Sequence, residues 1–213
     1  MLDQQLSDGL HTLGLVLSSA QQQSLLDYLQ LLSRWNKTYN LTAVRDEKAM
    51  VTRHLLDSLA IAAQLNGQRF VDVGTGAGLP GIPLAIALPE CHFTLLDSNG
   101  KKTRFLVNAI STLGLKNVTV IKSRVEDYLP ELGYDGVLSR AFASLDAMIS
   151  SCIHLLGPHG ELLAMKGQRP EEELQRIDPE ALQLSIIDLQ IPGLLEDRCL
   201  LRLRPQSTVT VPI

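Results

Sequence analysis

The chain of 213 residues is 45% hydrophobic and carries 19 basic against 23 acidic side chains, a formal net charge of −4. That length suits one doubly wound domain with a modest appendage and excludes two large ones; with no run of about 18 uninterrupted apolar residues, no membrane-spanning helix is expected. The charge balance argues weakly against a nucleic-acid partner, but the acidic excess lies wholly in residues 171–213, which hold four basic and eight acidic side chains.

The first residues, Met1-Leu2-Asp3-Gln4-Gln5, have neither the basic start nor the apolar stretch of a signal peptide, so a cytoplasmic location is expected. From Ser18 to about Leu65 apolar residues recur at helical spacing: Leu25, Leu26, Leu29, Leu32 and Trp35, then Met50, Val51, His54, Leu55, Leu59 and Ala62. Ser18 or Ser19 is the expected cap of the first helix and Asp46 of the second, with Asn36 to Thr42 as a polar break between them. Residues 1–67 therefore read as a helical cap. From residue 68 the period changes to short apolar runs alternating with helical stretches: Arg69 to Val73, Phe93 to Leu96, Val118 to Ile121, Gly136 to Ser139 and Leu162 to Met165. That alternation predicts an α/β domain over 68–213 with a mostly parallel sheet and crossover helices. Leu184 to Gln190 and Cys199 to Arg204, joined by a loop with Pro192 and Gly193, read as an antiparallel pair closing the sheet.

The informative segment is Phe70-Val71-Asp72-Val73-Gly74-Thr75-Gly76-Ala77-Gly78-Leu79-Pro80-Gly81, an apolar strand that ends in an acid and turns on glycines into a helix. Such a turn lies at the carboxyl edge of a parallel sheet, where doubly wound proteins bind nucleotide-like ligands, and Gly74 and Gly76 let backbone approach the ligand. Gly76, Gly78 and Gly81 satisfy a dinucleotide fingerprint, but the strand's phase makes Gly74 the first glycine and leaves Asp72 beside it. A pyrophosphate is repelled by that carboxylate, whereas the ammonium and sulfonium of S-adenosylmethionine are favoured by it. Asp97, closing the next strand, is placed to accept from both ribose hydroxyls; it identifies an adenosine-type ligand without saying which. Val125 and Glu126, after the third strand, are candidates to bracket an adenine, though a solvated acid serves equally as a reading of Glu126.

Between Ser98 and Val125 the chain carries Lys101, Lys102, Arg104, Lys116, Lys122 and Arg124 and no acid. Lys101, Lys102, Arg104 and Arg124 are candidate RNA contacts, against the alternative of an ordinary solvated face. The three cysteines and five histidines show no ligand spacing, so no metal and no disulfide are expected. His54, Asp57 and Ser58 share one short helix with no visible oxyanion hole, and amphipathic packing accounts for them better than hydrolysis.

Six segments resemble one family. They are the glycine turn continued through Ala85, Leu95-Leu96-Asp97-Ser98, Ser139-Arg140-Ala141-Phe142-Ala143, Lys166-Gly167, and the helical stretches with Arg34 to Thr42 and His54 to Ser58. Together they are similar to the bacterial small-subunit ribosomal RNA guanine-N7 methyltransferases, the glucose-inhibited division protein B family, over nearly the whole chain. Ala77 stands where that family commonly has proline. The resemblance implies a Rossmann-like methyltransferase domain behind the helical cap, S-adenosylmethionine as donor with S-adenosylhomocysteine as product, and N7 of guanine 527 in 16S ribosomal RNA as acceptor. By position it implies cofactor contacts at Gly74, Leu79, Val125, Glu126 and Arg140. The implied partner is 16S ribosomal RNA, free, in an assembly intermediate or in the small subunit, met by a monomer without a membrane. A nicotinamide-dependent enzyme and a non-catalytic nucleotide-binding module are the competing classes.

Chemistry agrees with N7. No Asn/Asp-Pro-Pro-aromatic motif for exocyclic amines follows the fourth strand, where Ser139-Arg140-Ala141-Phe142 stands, and no cysteine has a Pro-Cys setting for attack on a pyrimidine ring. Guanine N7 offers an in-plane lone pair with no proton to remove, so orientation suffices. Arg140 and Lys166, each closing a strand, are the candidate catalytic residues, able to hold phosphates or the guanine O6 edge. Lys166 is also a candidate RNA contact, or a solvated lysine; Phe142 reads as a base-stacking ring or as core.

Overall fold

The short apolar runs become strands of a single sheet in the computed structural model, which describes residues 1–140, 142 and 144–206. Ala141 and Ala143 of the Ser139 to Ala143 segment lie outside the described residues. The strands are β1 (Arg69–Val73), β2 (His92–Leu96), β3 (Val118–Ile121), β4 (Tyr134–Ser139), β5 (Leu156–Lys166), β6 (Leu182–Asp188) and β7 (Cys199–Pro205). Their order is β3-β2-β1-β4-β5-β7-β6, with β1 through β5 mutually parallel and β7 antiparallel to both β5 and β6. β1 and β2 are buried at four of five positions because helices cover both faces, which is why they read as continuous apolar runs and not as alternating ones. Sheet edge β6 alternates instead, with Gln183 and Ser185 exposed between Leu182, Leu184 and Ile186.

Helix α2 (Ser19–Tyr39) begins at Ser18 in a reciprocal capping box with Gln21, as the serine predicted. It runs past Asn36, where a break was expected, and ends at Asn40 in the left-handed conformation. The reason is that Asn36 is buried and spends its side chain on the following loop, accepting from the Thr42 N–H at 2.9 Å. A helix not expected from the sequence, α1 (Leu2–Thr12), buries Leu6 and Leu10. Its Gly9 lies so close to the segment after Asp46 that a Cβ there would come within 2.4 Å of Leu56.

Asp46 caps that segment, accepting from the Ala49 N–H at 2.7 Å. The helix is irregular: α3 (Glu47–Met50) passes into a π-helical turn at Val51–Leu56 and returns to α-helix as α4 (Asp57–Leu59). Such turns bulge one residue out of register and recur at functional sites. These helices, with α5 (Gly81–Ala87) and α6 (Gly100–Leu113), bury Leu25, Leu29, Leu55, Leu56, Ile82, Phe105 and Leu106 in one core. The other face of the sheet is covered by α7 (Leu145–Cys152), and a short α8 (Glu171–Leu174) follows β5. All three cysteines are free and buried. Among the described residues no helix is long and apolar enough to cross a membrane.

Candidate active site

The carboxyl ends of β1, β2 and β4 lie side by side, Val73 level with Leu96 and Asp72 with Leu138, so the loops that follow them converge on one edge. The glycine turn leaves β1 with the Gly74 and Thr75 N–H groups both donating to the Leu96 carbonyl. Gly78 shows why the turn needs glycine: its φ is 89°, and a Cβ would sit 2.5 Å from the Ile82 side chain. Tyr28 of α2, fully buried, reaches across and donates its hydroxyl to the Ala77 carbonyl at 2.7 Å. Sequence reading missed that tie; a tyrosine among the leucines of a core-facing helix was the available signal, since a buried hydroxyl needs a partner.

Asp72 lies beneath the turn. It is fully buried, its Oδ2 accepts from Thr75 Oγ1 (2.6 Å) and the Gly81 N–H (2.9 Å), and it does not line the cleft above the turn. Burial pushes its carboxyl up to about 7 against those hydrogen bonds. Asp72 therefore braces the turn and the start of α5 from beneath. Its Oδ1 has no partner among the described residues.

Asp97, buried at the end of β2, crosses the cleft instead. Its Oδ2 accepts from the Gly76 N–H at 2.9 Å and its Oδ1 from the Asn99 N–H at 2.8 Å, while Lys102 Nζ lies 3.6 Å away. A carboxylate offers about four lone-pair sites, so capacity remains for hydroxyl donors. The cleft, about 400 Å³, falls within the roughly 300–1,000 Å³ of small-molecule sites. Gly74, Asp97, Lys102, Arg124, Val125 and Glu126 line it, with Phe142 at its rim. Gly76 meets it through Asp97. Leu79 packs toward the helical core, and neither it nor Arg140 is on the cleft wall.

Arg140 and Lys166 occur together elsewhere, on a neighbouring recess of about 230 Å³ at the ends of β4 and β5. Arg140 is held by the irregular helix: its Nη2 lies 3.2 Å from Asp57 Oδ2 and 3.5 Å from the Arg53 carbonyl, and its Nη1 3.5 Å from Ser58 Oγ. Lys166 Nζ donates to the Phe142 carbonyl at 3.3 Å and lies 3.9 Å from Glu173 Oε2. Asp57, expected only to pack, is buried and also takes Arg198 Nε of the β6–β7 connection at 3.2 Å. Its signal was a carboxylate in a helical segment whose Leu55, Leu56 and Leu59 must be buried, since a buried acid needs a cation. His54, one turn before, faces Thr42 Oγ1 at 2.9 Å, and burial lowers it to about 4, so it stays neutral in the core. A further hollow of about 770 Å³ lies along the β6–β7 connection, away from the glycine turn.

Of the basic stretch, Lys101 and Arg104 are exposed on the first turns of α6, which Asn99 caps, and Lys102 and Arg124 reach the cleft itself. Lys122 lies beside the start of the same helix, near Gly100, whereas Lys116 precedes β3 and belongs to the opposite edge of the sheet.

Residues 21–201 match the family described as rRNA small subunit methyltransferase G. The ribosomal RNA small subunit methyltransferase G of Alteromonas mediterranea is 52% identical over 93% of this chain and 94% of its own length. That of Shewanella amazonensis is 53% identical over 95% and 98%. Among solved structures, an S-adenosylmethionine-dependent O-methyltransferase from Thermotoga maritima superposes with a TM-score of 0.58 at 15% identity, covering 73% of this chain and 66% of its own. A precorrin-6y C5,15-methyltransferase from Geobacter metallireducens reaches 0.53 at 13% identity, over 80% and 92%. At those identities the likeness concerns the fold alone, a Rossmann-like methyltransferase fold. The sequence relatives go further: with matches over nine-tenths of its length at about half identity, the chain belongs to the rRNA small subunit methyltransferase G family.

Proposed function

We propose that this protein transfers a methyl group from S-adenosylmethionine to N7 of one guanine in the RNA of the small ribosomal subunit, guanine 527 of 16S ribosomal RNA by family resemblance. The observation that carries the reading is the cleft at the carboxyl edge of β1 to β3, where Asp97 is tied to the Gly76 N–H and keeps accepting capacity for ribose hydroxyls. Gly74, Gly76, Asp97, Val125 and Glu126 hold the adenosine portion. When bound, S-adenosylmethionine supplies an electrophilic methyl on a sulfonium. We assign Arg140 to the acceptor side with Lys166, because it stands on the recess and not on the cleft.

The residues of the chain have orientation to provide and no proton to remove. Guanine N7 is unprotonated and nucleophilic near neutrality, so no general base is required. His54, neutral and buried against Thr42, and Asp57, taken by two arginines, are not free to act as one. Arg140 and Lys166 fix the target nucleotide, Phe142 at the cleft rim is available for stacking, and Lys101, Lys102, Arg104 and Arg124 meet RNA phosphates. Free RNA, an assembly intermediate and the complete subunit all present that chemistry.

The test is nucleoside mass analysis of 16S ribosomal RNA from cells with and without the gene, followed by incubation of unmodified RNA and subunits with purified protein and labelled donor. 7-Methylguanosine that disappears with the gene and returns with the protein is expected. Methylation at another atom overturns the N7 assignment, and tight NAD binding with none of the methyl donor overturns the enzyme class. A single-turnover rate that stays nearly flat across neutral pH is expected from the absence of a base; one ionisation, lost in a carboxylate variant, contradicts it.

A further inference from the structure

The recess beside Arg140 is more specifically built than the proposed reaction requires. One buried carboxylate, Asp57, holds two guanidinium groups from distant parts of the chain, Arg140 through Oδ2 and Arg198 through Oδ1, each at 3.2 Å. Arg140 is aimed further by the Arg53 carbonyl and Ser58, and Arg198 Nη1 donates to the Asp197 carbonyl at 2.8 Å. Both side chains nonetheless keep about a quarter of their surface open, 27% and 22%. Lys166 stands on the same wall, and at Gly167 the chain leaves Arg198 Nη1 uncovered: a Cβ there would lie 3.7 Å from it.

What such a wall can bind follows from its donors and acceptors. It offers three cations, and both oxygens of its one carboxylate are already engaged. The Watson–Crick edge of guanine carries N–H donors and needs an acceptor, which this wall has spent. A phosphodiester carries only acceptors and one negative charge, and suits a fork of fixed guanidinium donors. The adjoining groove of about 770 Å³ shares Gly167, Leu189, Arg198 and Cys199 with the recess but adds Asp188, Glu196 and Asp197 against one further cation, Arg169, which Asp188 already pairs. Of these two adjoining hollows only the recess has a cationic excess, which fits a single phosphate and not a run of them.

We propose that Arg140, Arg198 and Lys166 clamp one RNA phosphodiester beside the target nucleotide, and that Asp57 is the positioning residue that makes the two arginines a fixed pair. The proposal rests on the reading of the substrate as RNA. It brings the β6–β7 connection into substrate binding and explains why a carboxylate is buried beneath an RNA-binding surface that long-range charge alone would want free of acids.

The experiment measures binding of the full-length protein to unmodified 16S ribosomal RNA over a salt series, with cofactor affinity and thermal midpoint measured alongside. Arg198→Gln should weaken RNA binding by about tenfold, the scale of one charge-assisted hydrogen bond. It should also flatten the salt slope, by no more than the roughly 0.7–0.9 of one phosphate contact because Arg140 and Lys166 remain, and leave cofactor affinity unchanged. Asp57→Asn separates positioning from field. Removing a negative charge should tighten RNA binding if only the local potential matters, whereas loss of the clamp should weaken it. An unchanged slope in Arg198→Gln, or tighter binding by a folded Asp57→Asn protein, overturns the clamp; if Asp57→Asn does not fold, the Arg198→Gln slope decides alone. Methyl transfer by the wild-type protein is scored separately: its absence defeats the proposed reaction, and the salt slope still reports on the clamp.

Discussion

The cleft and the recess are a few side chains apart and are built in opposite ways. The cleft takes its walls from the loops that leave successive parallel strands, Gly74 after β1, Asp97 after β2 and Val125 and Glu126 after β3, and its key bond joins a backbone N–H to a carboxylate. The recess draws Asp57, Arg140, Lys166 and Arg198 from four separated segments and is held by side-chain ion pairs. On the proposed reading, the cofactor is met by a strand-end backbone device and the RNA by an assembly of side chains that only the complete fold brings together. The π-helical turn at Val51–Leu56 belongs to the second kind, since it places the Arg53 carbonyl, Asp57 and Ser58 around one guanidinium.

The largest expected effect attacks the local device. Gly78→Ala combines a strained positive φ with a clash at Ile82 and should cost about 2–4 kcal/mol of stability, read by denaturant unfolding. A loss of a few tenths would mean that the turn is more pliable than its geometry indicates.

Next in size is the contrast between the two sites. Asp97→Ala should weaken S-adenosylmethionine binding by roughly 1.5–3 kcal/mol in calorimetric titration, the range for hydrogen bonds to a charged group. Arg140→Ala should leave that affinity alone and lower the saturated single-turnover rate. If Arg140→Ala abolishes cofactor binding, the division into cleft and recess breaks down.

Buried titrating groups under the two sites should pull stability in opposite directions. Asp72, raised to about 7 beneath the cleft, holds its proton in the folded state at pH values where the unfolded chain has lost it, so its contribution falls as pH rises from about 4 to 7. His54, lowered to about 4 on the helix that carries Asp57, is protonated only in the unfolded chain between about 4 and 6.5, so its contribution falls as pH drops through that window. Each slope is at most about 1.4 kcal/mol per pH unit. Asp72→Asn should therefore make the stability of the protein rise more steeply with pH across 4 to 6.5, measured as the denaturant midpoint. An unaltered pH profile would show that Asp72 is ionised in the fold.

The smallest effect sharpens the comparison at a tie from the helical cap to the glycine turn. Tyr28→Phe removes the hydrogen bond to the Ala77 carbonyl and should cost about 1 kcal/mol of stability, with a matching small loss of cofactor affinity. Stability loss without any change in affinity would confine Tyr28 to the core.

Legibility in the sequence follows the same division. All seven strands, the Ser18 and Asp46 caps and the glycine turn could be read because strand burial, capping and positive φ are decided by residues within a few positions of one another. Helix α1 was missed because Leu6 and Leu10 are too few to mark a helix without the Leu56 surface that receives them. Asn36 was misread as a breaker because its side chain serves a loop six residues on.

By itself, then, the sequence determined the doubly wound sheet, the phase of the turn that puts Gly74 first and the acid at Asp97, all matters of local period and backbone sterics. Only the tertiary structure decided that Asp72 turns inward as a brace, that Arg140 stands off the cleft, and that Asp57 joins it to Arg198 across 141 residues of chain. A charge on a helix face must be paired once buried, but which cation reaches it depends on how the sheet order brings β4 and β7 to the same edge, and no spacing in the chain records that.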